Sequence, residues 1–292
     1  MRSTLKLMGI ADFITLLNGL FGSLAIFFLI LAVDDMKGAY NNLKTDYIWA
    51  SMFCIMLSII GDIIDGPVAR KYSKRRNLGG SLDLMSDTIS FALAPALMIF
   101  VMFGRMGEAT PIWTVFIAIS CCWVIICGML RLARFEFESG SDYNYFTGIA
   151  SPTNAMLIIS ACGIIWLQPV SGFGPELTSW DCSFCFGKGE PKPWGDFLLV
   201  PLLLASGYLM VSDRKTSKLK HGIPLKLAIL QMLSLLFAII ISMYITAGED
   251  YASDLENVLI PFSLFSLSLL LVFVYIIGGE RFISSSRDDE GE

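Results

Sequence analysis

Long apolar stretches alternate with short polar ones along the whole chain. Each apolar stretch approaches the roughly 20 residues that an α-helix needs to cross a bilayer. The pattern predicts eight membrane-spanning helices, at residues 9–33, 46–71, 80–104, 110–136, 150–168, 194–211, 223–247 and 256–278. The first stretch is too long for a cleavable signal, and no small-residue cleavage site follows it. We therefore expect an all-α polytopic membrane protein.

The composition agrees with a membrane protein and excludes several other classes. Only 16% of the 292 residues are charged, and the mean hydropathy is +0.66. Soluble domains carry about 25% charged residues. No polar segment is long enough to fold alone, and the chain shows no internal repeat, no P-loop and no pattern for binding nucleic acid.

Basic residues are distributed unevenly between the two sides that eight spans define. Sixteen fall on the side of the chain termini and five on the other side. Because Lys and Arg accumulate in cytoplasmic loops, the bias predicts cytoplasmic termini in a multi-pass protein of the cell membrane. The polar stretch between the second and third spans lies on the same side.

The seven cysteines give little functional information. Five lie in predicted spans, where they are expected to pack as small apolar residues. Cys182 and Cys185 form a CxxC pair in an external loop. A structural zinc site needs four ligands, and a local disulfide is equally consistent with an outer-face position. We expect this pair to serve the folding of its loop.

The stretch "GDIIDGPVARKYSKRRNLGGSLDLMSD", residues 61–87, places four aspartates at the ends of two predicted spans. Asp62 and Asp65 are three residues apart and Asp83 and Asp87 are four apart, so each pair lies on one helix face. A solvated loop would not explain this spacing. Carboxylates in spans are costly, about 2.5 to 3.5 kcal/mol on insertion scales for Asp, and normally mark a functional site.

Four carboxylates in one pocket would repel one another unless a cation neutralised them. Oxygen ligands suit magnesium, manganese or calcium rather than zinc. The glycines of the stretch remove side chains where a phosphorylated group could approach the backbone, and the basic run after the second aspartate would attract phosphates or anionic lipids. The residues therefore predict a divalent-metal, phosphate-handling site at the cytoplasmic membrane boundary.

This stretch resembles the signature of the CDP-alcohol phosphatidyltransferase family. The eight matching positions are Asp62, Asp65, Gly66, Ala69, Arg70, Gly79, Asp83 and Asp87. In that family six core helices hold two divalent metals, a CDP-linked lipid enters from the bilayer, and an alcohol displaces CMP. The resemblance implies a six-helix catalytic core at 1–211, with the external loop at 169–193. A basic linker, two additional helices and an acidic tail would occupy 212–292.

The resemblance also implies a role for each matching residue. Asp62, Asp65 and Asp83 would be ligands to two Mg²⁺ or Mn²⁺ ions. Asp87 would complete the coordination of the second ion and act as general base. The expected nucleotide-binding residues are Thr15, Asp62, Gly66, Ala69, Arg70 and Gly79. Pro67 lacks an N–H and should kink or end the second span locally.

Two further stretches resemble the serine-using branch of the family. "ITLLNGLFGSLAI", residues 14–26, contains a Thr-x-x-Asn-x-x-x-Gly pattern. Its Asn18 would either contact the nucleotide or hydrogen-bond neighbouring helices. The turn "RLARFEFESGSDYNYFTGIASPTNA", residues 131–155, also resembles the branch but departs from it at Glu136 and Ala150. In the first span, Ala11 and Asp12 depart from the branch.

The acceptor-binding residues expected from this turn are Arg131, Arg134, Phe146 and Ser151. The two arginines would either complement the negative end of a helix dipole or bind a serine carboxylate. A phosphorylated polyol would need more basic residues than this turn offers, so serine is favoured over inositol phosphate or glycerol phosphate.

The expected function is transfer of a lipid-phosphate group from a CDP-linked diacyl or diether lipid to L-serine, with release of CMP. The expected partners are this lipid, L-serine, membrane lipids and, by resemblance alone, a second copy of the chain. A divalent-cation transporter is the alternative of a different class. Transporter sites lie near the bilayer midplane between inverted repeats, whereas these carboxylates lie at the membrane boundary.

Overall fold

The computed structural model describes residues 9–33, 43–72, 79–104, 111–138, 145–167, 193–217, 222–247 and 255–288. These residues form the helices α1 Ile10–Ala32, α2 Thr45–Tyr72, α3 Gly79–Asp87, α4 Ala94–Phe103, α5 Pro111–Glu138, α6 Ser151–Leu167, α7 Pro193–Val211, α8 Gly222–Ala247 and α9 Leu255–Asp288. A π-helical segment, Thr88–Leu93, makes α3 and α4 one continuous span. The prediction of about eight membrane helices is confirmed.

Six of these spans are long and apolar enough to cross a membrane, and the apolar helices Ser151–Leu167 and Leu198–Val211 are shorter. Pro67 was expected either to kink or to end the second span. Helix α2 continues past it to Tyr72, so Pro67 does not end the span. Helix α9 reaches Asp288, ten residues beyond its predicted end at 278. Hydropathy located the end of the apolar stretch and not the end of the helix. A helix satisfies its own backbone hydrogen bonds, so it can continue beyond the membrane into water. The CxxC pair lies outside the described residues.

The helices pack as expected for a protein whose solvent is lipid. Phe27, Ile30, Phe116 and Ile119 are each more than half exposed, on faces that a bilayer would cover. Inside the bundle, α1 packs most extensively on α2, α8 packs on α9, and α6 contacts α9. Since lipid tails are as apolar as leucine, close packing and interhelical hydrogen bonds must hold such helices together.

Glycines bring α1 unusually close to α3 and the π-helical segment. A Cβ atom at Gly19 would lie 2.9 Å from Ser86 Oγ, and one at Gly22 would lie 2.8 Å from the backbone Cα of Ser90. Such approach is possible only for a residue without a side chain. The contact fixes α1 against the helix that carries two of the four aspartates.

Replacing Gly22 by Ala should destabilise the bundle, because the new methyl group meets the backbone of Ser90, which cannot move independently. We expect a loss of about 1 to 3 kcal/mol, typical of overpacking, measured as a lower thermal unfolding midpoint in detergent. Gly61→Ala is the matched control, since a Cβ there would have its nearest neighbour, Asn18 Cβ, at 3.8 Å. Equal midpoints for the two variants would contradict the close approach.

A short antiparallel ribbon joins two connections at the end of the bundle where α3 begins. Strand β1, Tyr145–Thr147, pairs with β2, Lys215–Ser217, with Phe146 opposite Thr216. Gly148 follows with φ of +73° and its Cα against the backbone O of Met210, so that a side chain there would be both strained and blocked. Its N–H donates to Arg214 O at 2.7 Å.

We call residues 145–149 and 209–217 together the clasp. The Ile149 N–H donates to Leu209 O at 3.2 Å, which adds a second backbone tie beyond the strands. The clasp therefore fixes the connection between α5 and α6 to the connection between α7 and α8. Nothing in the hydrophobic pattern predicted it.

Candidate active site

Three of the four predicted metal ligands meet between α2 and α3. Carboxylate oxygens of Asp62, Asp83 and Asp87 all lie within 4.8 Å of one another. Asp62 and Asp83 are half-buried, and Asp87 is 7% exposed. Asp65 is outside this three-residue group. The helical spacing of the sequence is what brings these groups together.

Asn18 of α1 holds Asp87 in place. Its Nδ2 donates to Asp87 Oδ1 at 3.0 Å. The Ser58 hydroxyl donates to Asn18 Oδ1 at 2.6 Å. This bond fixes the orientation of the Asn18 amide, with Nδ2 facing the aspartate. Ser90 Oγ lies 3.1 Å from the backbone O of Asn18. Asn18 is completely buried, so the structure favours the helix-bridging interpretation of this residue, with Asp87 among the groups it bridges.

Thr15 makes the equivalent contact to the second helix. Its Oγ1 donates to Asp65 Oδ2 at 2.9 Å, and Ser86 Oγ donates to the backbone O of Thr15 at the same distance. Thr15 and Asn18 lie on one face of α1, one turn apart. This face therefore orients one aspartate from each of the two acidic helices.

The acidic group fits a divalent cation. Three carboxylates this close would repel one another without a positive counter-charge, and the donor set consists of oxygens, which suit magnesium, manganese or calcium. Asp83 Oδ1 is buried and has no hydrogen-bond partner among the described residues. Because a buried polar atom without a partner is costly, this oxygen is suited to be a ligand.

Two further carboxylates flank the first turn of α3. A Cβ at Gly79 would lie 2.8 Å from Asp12 Oδ1, and one at Gly80 would lie 3.6 Å from Glu136 Oε1. Anionic groups stabilise the positive end of a helix dipole. Asp12 and Glu136 are both at positions where the sequence departs from the serine-using branch, and both lie beside the first turn of the helix that carries Asp83 and Asp87.

Only some of the expected nucleotide-binding residues have side chains that the structure describes. Asp62 lies in the acidic group, Thr15 bonds Asp65, and Gly79 is the first residue of α3. Gly66, Ala69 and Arg70 belong to the last turns of α2, but their side chains lie outside the described residues. Their contact with a nucleotide stays a prediction.

The two arginines expected at the acceptor are anchored differently. Arg131 is 3% exposed, and its Nε donates to Ile149 O at 3.1 Å. Arg134 is more exposed, and its Nη2 forms an ion pair with Asp213 Oδ1 at 2.7 Å. Both arginines therefore connect α5 to the clasp. Their predicted role in acceptor binding is not decided by these contacts.

Unpaired polar groups mark the beginning of α6. Ser151 Oγ is buried and without a hydrogen-bond partner among the described residues, and both amide atoms of Asn154 are in the same state. The two residues are three apart and share a helix face. Buried polar groups are normally hydrogen-bonded, so this face suits a polar ligand. The side chain of Phe146 lies outside the described residues, although its backbone is part of β1.

Sequence reasoning did not single out Ser58 or Asn154. Ser58 could have been found, since it precedes Asp62 by four residues and so shares its helix face. Asn154 is the amide side chain of a largely apolar helix, a weaker signal that packing alone also explains.

Comparison with known proteins places this geometry in a family. The profile of the CDP-alcohol phosphatidyltransferase family matches residues 8–186, which include the whole aspartate stretch and α1 to α6. The chain belongs to the CDP-alcohol phosphatidyltransferase family. The three clustered carboxylates lie within the matched region.

Curated CDP-alcohol phosphatidyltransferases similar to this chain include several named for serine. The CDP-diacylglycerol–serine O-phosphatidyltransferase of Saccharomyces cerevisiae is 30% identical over 54% of this chain and 54% of its own. The enzyme of the same name from Methanocaldococcus jannaschii is 32% identical over 56% of this chain and 66% of its own. The archaetidylserine synthase of Methanothermobacter thermautotrophicus is 32% identical over 51% and 55%. The chain thus spans about half to two thirds of the length of these relatives.

Proposed function

We propose that this protein transfers a phosphatidyl or archaetidyl group from a CDP-linked lipid to L-serine and releases CMP. The observation that carries the proposal is the convergence of Asp62, Asp83 and Asp87 within 4.8 Å, at positions of the family signature. The names of the similar proteins support serine as the acceptor. Family membership argues against the cation transporter.

In the proposed reaction the serine hydroxyl oxygen bonds to the lipid-bearing phosphorus while the bond from that phosphorus to the CMP oxygen breaks. Asp87 takes the hydroxyl proton, for which Asn18 holds its carboxylate in one orientation. Asp62, Asp65, Asp83 and Asp87 would hold two Mg²⁺ or Mn²⁺ ions. When bound, these ions neutralise negative charge on the diphosphate and on departing CMP.

The acceptor would lie between the acidic group and the start of α6. Arg131 lies one helical turn from Gly128, where a Cβ would be 2.8 Å from Ala92 Cβ of the π-helical segment. Because α5 and that segment run in opposite directions, Arg131 would lie near the level of Asp87 along the bundle. There its guanidinium would bind the serine carboxylate, a charge-assisted and geometrically specific contact. Ser151 and Asn154, whose side-chain polar atoms have no hydrogen-bond partner among the described residues, would supply further polar contacts.

The proposal includes the placement of the protein in the cell. The excess of basic residues on the side of the termini supports an active site at the cytoplasmic face, where serine and the CDP headgroup are available. The homodimer implied by the family resemblance stays a prediction, which the mass of the particle in a lipid nanodisc would check.

CMP release by the purified protein tests the proposal. A CDP-linked diacyl or diether lipid and Mn²⁺ or Mg²⁺ are supplied, and L-serine, inositol phosphate and glycerol 3-phosphate are offered separately. We expect release with L-serine that stops when a chelator is added. Release only with a phosphorylated polyol would keep the family chemistry and reject serine. No release with any acceptor and either lipid would reject the activity.

A further inference from the structure

Helix α9, which lies beyond the region matched by the family profile, is bonded to the clasp. Tyr275 is 5% exposed, and its hydroxyl hydrogen-bonds the side chain of Thr216. Thr216 Oγ1 donates to Gly148 O at 2.9 Å. Because the Thr216 hydroxyl has a single proton, Tyr275 is the donor in the first bond. A chain of hydrogen bonds therefore runs from α9 through β2 to the residue before Ile149.

The backbone of α9 also lies against β2. A Cβ at Gly279 would lie 2.9 Å from Lys215 O. Gly279 follows Tyr275 by one turn and shares its helix face. The helix thus supports the ribbon at two successive turns, once by a hydrogen bond and once by close backbone contact.

Arg131 of α5 is bonded to the same part of the clasp. Its Nε is bonded to Ile149 O, one residue after the carbonyl that Thr216 holds. A bond to Nε fixes the plane of the guanidinium, and a long side chain that is already fixed loses less entropy when it binds a carboxylate.

We infer that Tyr275 and Thr216 are positioning residues for the acceptor, which act by holding the Ile149 carbonyl to which Arg131 is anchored. This inference rests on the proposed function, in which Arg131 binds the carboxylate of an amino-acid acceptor. Neither residue belongs to the acidic group of Asp62, Asp83 and Asp87. Their loss should therefore weaken acceptor binding while the binding of the CDP-linked lipid stays unchanged.

Steady-state kinetics of Tyr275→Phe and Thr216→Val in the full-length protein test this role. We expect the KM for L-serine to rise about three- to tenfold, the effect of one net hydrogen bond, with kcat and the KM for the CDP-lipid within about twofold of wild type. Thr216→Ser keeps the hydroxyl and should behave as wild type. Ser268→Ala is the matched control, because it removes a buried bond from α9 to Ser160 of α6, outside the clasp.

Hydrogen exchange of the Gly148 and Ile149 amides gives a second readout that does not depend on turnover. Both amides are bonded within the clasp and should exchange faster in Tyr275→Phe and Thr216→Val than in wild type or Thr216→Ser. An unchanged KM for serine, or an equal rise in Ser268→Ala, would overturn the inference. If Tyr275→Phe does not fold, the inference is tested by comparing Thr216→Val with Thr216→Ser in both measurements.

The two proposals fail in different ways. Wild-type protein without serine-dependent CMP release would reject the proposed function, and exchange at Gly148 and Ile149 would still report on the support given by α9. Active wild-type protein with an unchanged KM for L-serine in both variants would reject the positioning role alone.

Discussion

Asp87→Asn should lower the rate of CMP release about 10²- to 10⁴-fold, the range that a general base contributes. The amide has nearly the size of the carboxylate, and its oxygen can still accept the bond from Asn18 Nδ2, now 3.0 Å long. The protein should therefore fold and still bind the nucleotide. Turnover with L-serine and binding of CMP, measured on the same preparation, separate loss of chemistry from loss of structure.

Asp46→Asn provides the matched control for this variant. Asp46 is an exposed carboxylate in the first turn of α2, at the opposite end of that helix from Asp62. The same chemical change there should leave turnover at the wild-type level. If Asp87→Asn kept more than roughly a tenth of wild-type turnover, Asp87 would not be the general base.

Removal of divalent ions should have a comparably large effect. A chelator should stop CMP release, and Mn²⁺ or Mg²⁺ should restore it, because the clustered carboxylates need a positive counter-charge. Asp83→Asn should raise the metal concentration needed for thermal stabilisation at least about tenfold, since even groups behind the ligands contribute 10- to 100-fold to metal affinity. The unfolding midpoint against metal concentration, without substrate, measures this shift.

Asp213→Asn is the control for the metal experiment. Asp213 is 90% exposed and pairs with Arg134 at the same end of the bundle, outside the three-residue acidic group. It should leave the metal dependence unchanged. A metal dependence of Asp83→Asn equal to that of wild type would show that Asp83 is not a ligand.

The periodicity of the sequence was enough to predict the helices and to bring three aspartates together. Hydropathy located the spans because each span must cover the bilayer thickness. In a regular helix, residues three or four apart lie on the same face. Asp62 and Asp83 could be assigned to one site because they lie at adjoining ends of consecutive spans. These inferences need only local geometry.

Features that depend on distant residues could not be predicted. Arg134 and Asp213 are 79 residues apart in sequence, and no local pattern pairs them. The strands of the clasp have three residues each, too few for an alternating pattern to be recognised. The role of Asn18 stayed open for the same reason, since its choice between nucleotide and helix depends on where Asp87 and Ser58 lie in three dimensions.

Helix α6 has consequences for the order in which the protein assembles. Fifteen of its 17 residues are buried, so it presents almost no surface to lipid. Part of its cover is α9, whose Phe265 ring lies over Gly163 and whose Ser268 is bonded to Ser160, 108 residues earlier in the chain. During synthesis α6 therefore enters the membrane well before its last neighbour exists. Until then Ser160 lacks that partner, so α6 completes its packing only after α9 has been made.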